Sequence, residues 1–214
     1  MSAATLPRRR ELTFEDLVLH YGPVQLQSPL SKEAFAELAE RYPDFRMERE
    51  QDGYVTIMSP VKRGSSKREF NLSGHFFMWH YRSKLGELHG SSGTFDLPDG
   101  ATKMPDVAWI SPERLAASHD NDEEKFVQIV PDFVAEVRSG TDRLTKLQHK
   151  MKNTWMKNGV RLAWLIDPYE ENVYIYREGQ HEPEVVTGFA GKKLSGEEVM
   201  PGFELPLDEM KRQV

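Results

Sequence analysis

The sequence predicts a single α/β domain, a mixed β-sheet flanked by helices, and three observations carry that expectation. Short apolar, β-branched runs alternate along the chain with segments of helical period. Phe133–Val137, the amphipathic stretch 142–157 and the apolar run 160–166 follow one another as strand, helix, strand. Neither an internal repeat nor a linker-like composition interrupts the 214 residues, a length that suits one domain with a substantial core.

Taken in order, residues 1–10 read as a disordered tail ahead of a domain spanning 11–214. Thr13–Leu19 resembles a short capped helix, and Ser31–Arg41 a second, with Phe35, Leu38 and Ala39 on one face. Phe45–Glu50 and Tyr54–Met58 form a hairpin around Asp52-Gly53, since Asp-Gly between alternating runs is a strong turn signal. After a loop at 60–66, Phe70, Phe77, Met78 and Tyr81 recur at helical spacing and predict a long helix to about Ser83. The Gly-rich segment 86–100 is expected to hold a strand over 91–97 and a turn at Pro98-Asp99-Gly100.

Strands are expected at Asp106–Ile110 and Phe133–Val137, separated by the acidic loop Asp120-Asn121-Asp122-Glu123-Glu124. The helix over 142–157 buries Leu144, Leu147, Met151 and Trp155 and ends at Asn158-Gly159. An apolar strand over 160–166 stops at Asp167-Pro168, Val173–Tyr176 forms the next, and Glu184–Val186 and Phe203–Leu205 complete the sheet.

Bulk properties restrict the function. The charge of -6 demotes a protein that coats nucleic acid through a broad basic surface, yet Lys and Arg concentrate at 62–68 and 138–157. No apolar run reaches the roughly 18 residues of a membrane span, and no secretory h-region follows the N-terminal arginines. Zero cysteines exclude disulfides and thiolate-bound metals, and the expected location is the cytoplasm. Seven histidines show no ligand spacing, and neither a phosphate-binding glycine loop nor a nucleophile elbow occurs.

Two phrases carry the chemistry, Met104-Pro105-Asp106-Val107-Ala108-Trp109-Ile110 and Pro131-Asp132-Phe133-Val134-Ala135-Glu136-Val137-Arg138-Ser139. Each sets an acid in an apolar strand, where burial is costly without compensation. Two such acids on neighbouring strands would share a site, and a divalent cation is the usual way to hold like charges together. Lys146 and Lys150 share a helix face just beyond Glu136, with Asp142 one turn earlier, and Glu48 on the hairpin is a further candidate. Surface i,i+4 pairing of Asp142, Lys146 and Lys150, a capping role for Asp106, and an Arg138–Glu136 pair are the structural alternatives.

Pro105-Asp106 followed by Glu136-Val137-Arg138 resembles the PD-(D/E)XK motif of the restriction-endonuclease-like nucleases. Further phrases resemble the bacterial Uma-type endonuclease family over about residues 12–210. They include Arg46-Met47-Glu48 with Asp52-Gly53, Leu97-Pro98-Asp99-Gly100-Ala101, Asn158-Gly159-Val160-Arg161, Trp164-Leu165-Ile166-Asp167-Pro168 and Met200-Pro201-Gly202-Phe203. The resemblance implies a restriction-endonuclease-like domain with a Mg²⁺ or Mn²⁺ site on Asp106, Glu136 and Glu48, with the Val137 carbonyl as an extra ligand. It implies hydrolysis of nucleic acid, expected to be DNA, by a homodimer. Arg138 stands where the superfamily motif has lysine, and Lys150 matches the lysine displaced to the next helix. Arg138 and Lys146 are then expected on the substrate phosphate. A silent nuclease-fold module binding nucleic acid or protein, and a phosphatase on small substrates, are the competing readings.

Overall fold

The computed structural model describes residues 23–118 and 122–212. The tail at 1–10, the helix expected over Thr13–Leu19 and part of the acidic loop lie outside them. Among the described residues, thirteen short strands form three sheets, and no helix is long and apolar enough to cross a membrane.

The first sheet has the order β1-β3-β2-β6-β5, with β1 Val24–Gln25, β2 Met47–Arg49, β3 Val55–Ile57, β5 Phe95–Asp96 and β6 Thr102–Lys103. Its centre is the expected hairpin, in register Glu48↔Thr56. Gly53 takes φ +89 at the turn, and a Cβ there would meet the Leu30 carbonyl at 2.8 Å. Helix α1, Lys32–Arg41, is capped by Ser31, whose hydroxyl accepts from the Ala34 amide, and buries Phe35 on this sheet.

The second sheet, of six strands, has the order β11-β10-β9-β8-β7-β4. Its strands are β4 Glu87–Gly90, β7 Val107–Ile110, β8 Phe133–Val137, β9 Leu162–Asp167, β10 Asn172–Arg177 and β11 Glu184–Thr187. Only β8 and β9 are parallel, joined by helix α4, Leu144–Lys150, which crosses one face. Alternation assigns the faces: Phe133, Ala135 and Val137 enter one core and Val134 the other, with Glu136 on the Val134 side by parity. Helix α2, Arg63–Ser83, packs Leu72 and Phe76 into the first core. The Phe76 ring lies 4.1 Å from Phe203 and 5.2 Å from Phe133, centroid to centroid.

Two expectations are corrected, and two features are added. Of the strand expected over 91–97 only β5 forms, and the Gly-rich segment holds a further strand, β4, ahead of the turn that closes Gly93 onto Gly90. Ser111-Pro112 caps a short helix, α3 Pro112–Ala117, that the sequence reading did not include. The strand near Phe203 is β13, Glu204–Pro206, which pairs with β12, Lys193–Ser195, as a separate ribbon because Gly196 and Met200 close a turn between them. On α2 the stripe of Phe70, Phe77, Met78 and Tyr81, whose spacing predicted the helix, faces outward. Phe70 is 78% exposed, and the inward stripe is Ser65, Arg68, Leu72 and Phe76.

Candidate active site

The β7–β8 ladder creates the central constraint. Its last pair toward this end is Val107↔Ala135, and one further step sets Asp106 opposite Glu136 on the same face. Pro105 carries no amide hydrogen and ends the ladder there. The Asp106 carboxylate instead accepts the Val137 amide at 2.7 Å. Both acids are buried, with Glu136 6% exposed and Asp106 9%.

Helix α4 delivers the cation. Lys150 Nζ lies 2.6 Å from Glu136 Oε1 and 2.7 Å from Glu48 Oε1, so one ammonium bridges the second and first sheets. The helix then widens into a π-helical turn over Met151–Trp155. In a π turn residues five apart share a face, whereas in an α-helix they diverge. Trp155 therefore points with Lys150, and its indole N–H donates to the same Glu136 oxygen at 3.0 Å.

Glu48 comes from the first sheet, not from an edge of the second. Its Oε1 also accepts the Met104 amide at 3.2 Å, and its Oε2 lies 3.3 Å from Lys103 Nζ. Lys103, almost fully buried, also reaches Glu50 at 2.6 Å. Both Glu48 oxygens are thus engaged by lysines and a backbone amide, which makes it a counter-ion where the sequence suggested a third metal ligand.

The charge states follow. Burial pushes the Glu48 carboxyl up, but Lys150 and Lys103, with hydrogen bonds from Lys150 and Met104, overcome it and hold it at about 2. Burial likewise pushes the Lys150 amine down, and Glu136 and Glu48 reverse this, so it stays an ammonium. Glu136 goes up because its burial outweighs its half-share of Lys150. Asp106 is driven well above the carboxylate range by burial first, then by Glu136 and by Glu69 of α2. No ion pair among the described residues reaches Asp106.

A buried carboxylate without a counter-ion, facing a second acid, is the donor set a hard divalent cation satisfies. No group of three or more His, Cys, Asp or Glu among the described residues is arranged to hold a metal by itself. The fit is therefore a two-carboxylate site, Asp106 and Glu136, with the remaining positions open to water and substrate.

These groups line a cleft of about 1630 Å³. The chain as a whole has 34 Asp and Glu against 28 Lys and Arg. On the cleft walls the balance reverses, with Arg46, Lys62, Arg63, Lys67, Arg68, Lys103, Arg143, Lys146, Lys150, Lys211 and Arg212. Lys146 is exposed on that wall. Arg138 does not line the cleft: its guanidinium lies 2.8 Å from Asp167 and 5.3 Å over the Tyr169 ring. The ion pair with Asp167, fully buried, takes the place of the Arg138–Glu136 pair that was the structural alternative.

Sequence reasoning missed Lys103, Glu69 and Arg68. The first is a lysine inside a strand run; Arg68 belongs to the buried stripe of α2 and Glu69 sits beside it, a signal hidden by the more apolar outward stripe. Asp132, the Pro-Asp acid that opens the second of the two phrases, is structural. It accepts the Ser111 amide at 2.7 Å and lies 3.2 Å from Arg114 and 3.3 Å from Arg161.

Residues 33–208 match the model of the Uma2 family, described as "Putative restriction endonuclease". No curated protein matches the chain. Among solved structures it is similar to the crystal structure of "a putative nuclease belonging to DUF820" from Anabaena variabilis ATCC 29413. The two share 20% identity at a TM-score of 0.70, over 85% of this chain and 97% of that one. At that identity the likeness shows the fold, which is the one the sequence led us to expect.

Proposed function

The chain belongs to the Uma2 family, and from that premise we propose that it is a metal-dependent endonuclease hydrolysing phosphodiester bonds, with DNA as substrate. The observation that carries this reading is the buried Lys150 ammonium clamped between Glu136 and Glu48, beside an Asp106 that lacks a counter-ion.

Asp106 and Glu136 would hold Mg²⁺ or Mn²⁺, with the Val137 carbonyl at the strand end as a further oxygen. When bound, the ion supplies Lewis-acid polarisation of the phosphate and a nucleophilic water at neutral pH. Lys150 presents a fixed positive charge to the phosphate oxygens as negative charge builds on them, a preorganised electrostatic contribution. Glu48 keeps that lysine protonated and aimed, so its effect on the reaction is exerted through Lys150. Trp155 holds the Glu136 carboxylate in one rotamer. The cationic walls supply the sequence-independent attraction for a phosphate backbone.

The test is nicking of plasmid DNA with Mg²⁺ or Mn²⁺. Asp106→Asn, Glu136→Gln and Lys150→Met are each expected to slow cleavage by roughly 10²–10³-fold, the scale of losing one preorganised charge. A wild-type protein inert on single- and double-stranded DNA and RNA with both metals refutes the reading.

The active unit is a homodimer joined through α2. Phe70, Phe77, Met78 and Tyr81 are 78%, 57%, 46% and 59% exposed along one stripe, with Gly74 at its centre and nothing within 4 Å of where a Cβ would sit. Several exposed aromatics amount to a few hundred Å² of apolar surface, a large part of the roughly 800 Å² each partner buries in a stable interface. An isologous α2–α2 contact crossing at Gly74 covers the stripe with its own copy. Light scattering is expected to give two copies for wild type and one for Phe77→Glu. A monomeric wild type contradicts it.

A further inference from the structure

The N-terminal end of α2 carries a group that the carboxylate centre does not use. Arg68 is 6% exposed, yet no hydrogen bond or ion pair among the described residues holds its guanidinium, and its Nε is buried without a partner. A buried cation of this kind is costly unless something anionic meets it. Its side chain runs back toward the start of the helix, as helical side chains do. A Cβ added at Gly64 would lie 3.4 Å from Arg68 Nη1, so the absent side chain leaves that head group room at the first turn. Lys62, the residue before the helix, makes no side-chain cap, and the uncapped first turn at Gly64 lies beside the guanidinium.

The opposite wall is formed by Tyr169, which follows β9. The Arg68 guanidinium lies 6.0 Å from that ring's centroid, and the Arg212 guanidinium lies 4.6 Å from it. Gly64, Arg68, Tyr169 and Arg212 all line the same cleft as Asp106 and Glu136. The helix dipole, uncapped amides and a planar five-donor fork are the chemistry that takes a tetrahedral oxyanion.

We propose that the uncapped N-terminus of α2 and the Arg68 guanidinium form a phosphate subsite that seats a backbone phosphate of the nucleic-acid strand beside the carboxylate centre. The proposal rests on the nuclease reading for the identity of the phosphate's owner, and the subsite itself rests on Arg68. It gives α2 two tasks in one helix, the dimer stripe outside and the strand anchor at its start.

The test uses the metal-free full-length protein, with inorganic phosphate and a labelled oligonucleotide as separate probes. Phosphate is expected to raise the wild-type Tm and to leave that of Arg68→Met unchanged. In the absence of anion Arg68→Met is expected to melt higher than wild type, because it removes an unpaired buried charge, where a merely structural arginine would melt lower. Oligonucleotide affinity should fall about tenfold in Arg68→Met, and the slope of log affinity against log salt should shrink by about 0.7–0.9, the value of one phosphate contact. Arg68→Lys, which keeps the charge and loses the fork, should hold the slope with intermediate affinity, and it serves if the methionine variant does not fold. A phosphate response that shifts the free protein while the oligonucleotide ignores Arg68 overturns the backbone assignment. Equal phosphate response and equal oligonucleotide affinity in wild type and Arg68→Met overturn the subsite. A protein that binds through Arg68 but cuts nothing refutes the nuclease reading and leaves the subsite standing.

Discussion

Asp106 is the residue on which the electrostatics of the site turn. Its folded pKa is raised by burial and by Glu136 and Glu69, so its neutral form favours the fold and its ionised form opposes it. The stability it gives is complete below the ordinary carboxylate value of about 4 and is lost as pH rises through the higher folded value. Asp106→Asn keeps the acceptor for the Val137 amide and is therefore expected to stabilise the metal-free protein at pH 7 by about 1 kcal/mol or more. The gain should vanish as pH falls toward about 4, as thermal melts across pH would show. A variant less stable than wild type at pH 7 contradicts the assignment. Glu48 has the opposite sign: held at about 2, it contributes stability above its ordinary value that is lost as pH falls. Mn²⁺ binding, which needs both site carboxylates ionised, should weaken below neutral pH earlier than ordinary carboxylates would require. Asp106 and Glu136 were legible because an acid inside a β-branched run is conspicuous. Lys103 and Arg68 were not, because a basic residue beside polar neighbours reads as surface until its strand or helix face is known.

At the scale of elements, α2 shows why a helical period does not name its buried side. The more apolar stripe faces outward and the inward one, Leu72 and Phe76, is short, with a serine and an arginine completing it. Truncating the two stripes should separate them. Phe76→Ala is expected to cost about 3–5 kcal/mol, since its ring touches Phe133, Trp164 and Phe203 with no exposure. Phe77→Ala should leave the fold of each protomer intact. Equal losses in chemical denaturation would place both residues in the core and contradict the fold described. The hairpin, the strands β8 to β10 and the close at Gly159 of the helical segment that begins with α4 were readable because turn chemistry and apolar runs agree there. The π turn was not, because nothing in Met151–Trp155 distinguishes a wide turn from a regular one. The decision is made by Trp155 reaching Glu136. The two sheets were read as one for a similar reason: β2 and β3 have strand character, but only Arg49 reaching the Leu30 and Gly100 carbonyls shows which neighbours they take.

Across the whole molecule, two sheets and two helices meet at one cleft. The parallel pair β8 and β9 ends there, the usual place for a ligand in sheets of this kind. Cations outnumber acids among the residues that line the cleft, while the excess negative charge of the chain lies elsewhere, so the cleft is locally basic in a protein that is not broadly basic. The central claim is that Asp106 and Glu136 take one hard cation between them with Lys150 facing it. The direct measurement is anomalous scattering from crystals soaked in Mn²⁺. A peak within about 2.0–2.3 Å of a carboxylate oxygen from each of Asp106 and Glu136, absent in Asp106→Asn crystals, is the expected result. No peak in the cleft, or one held by Glu48 and Glu50 alone, would contradict it.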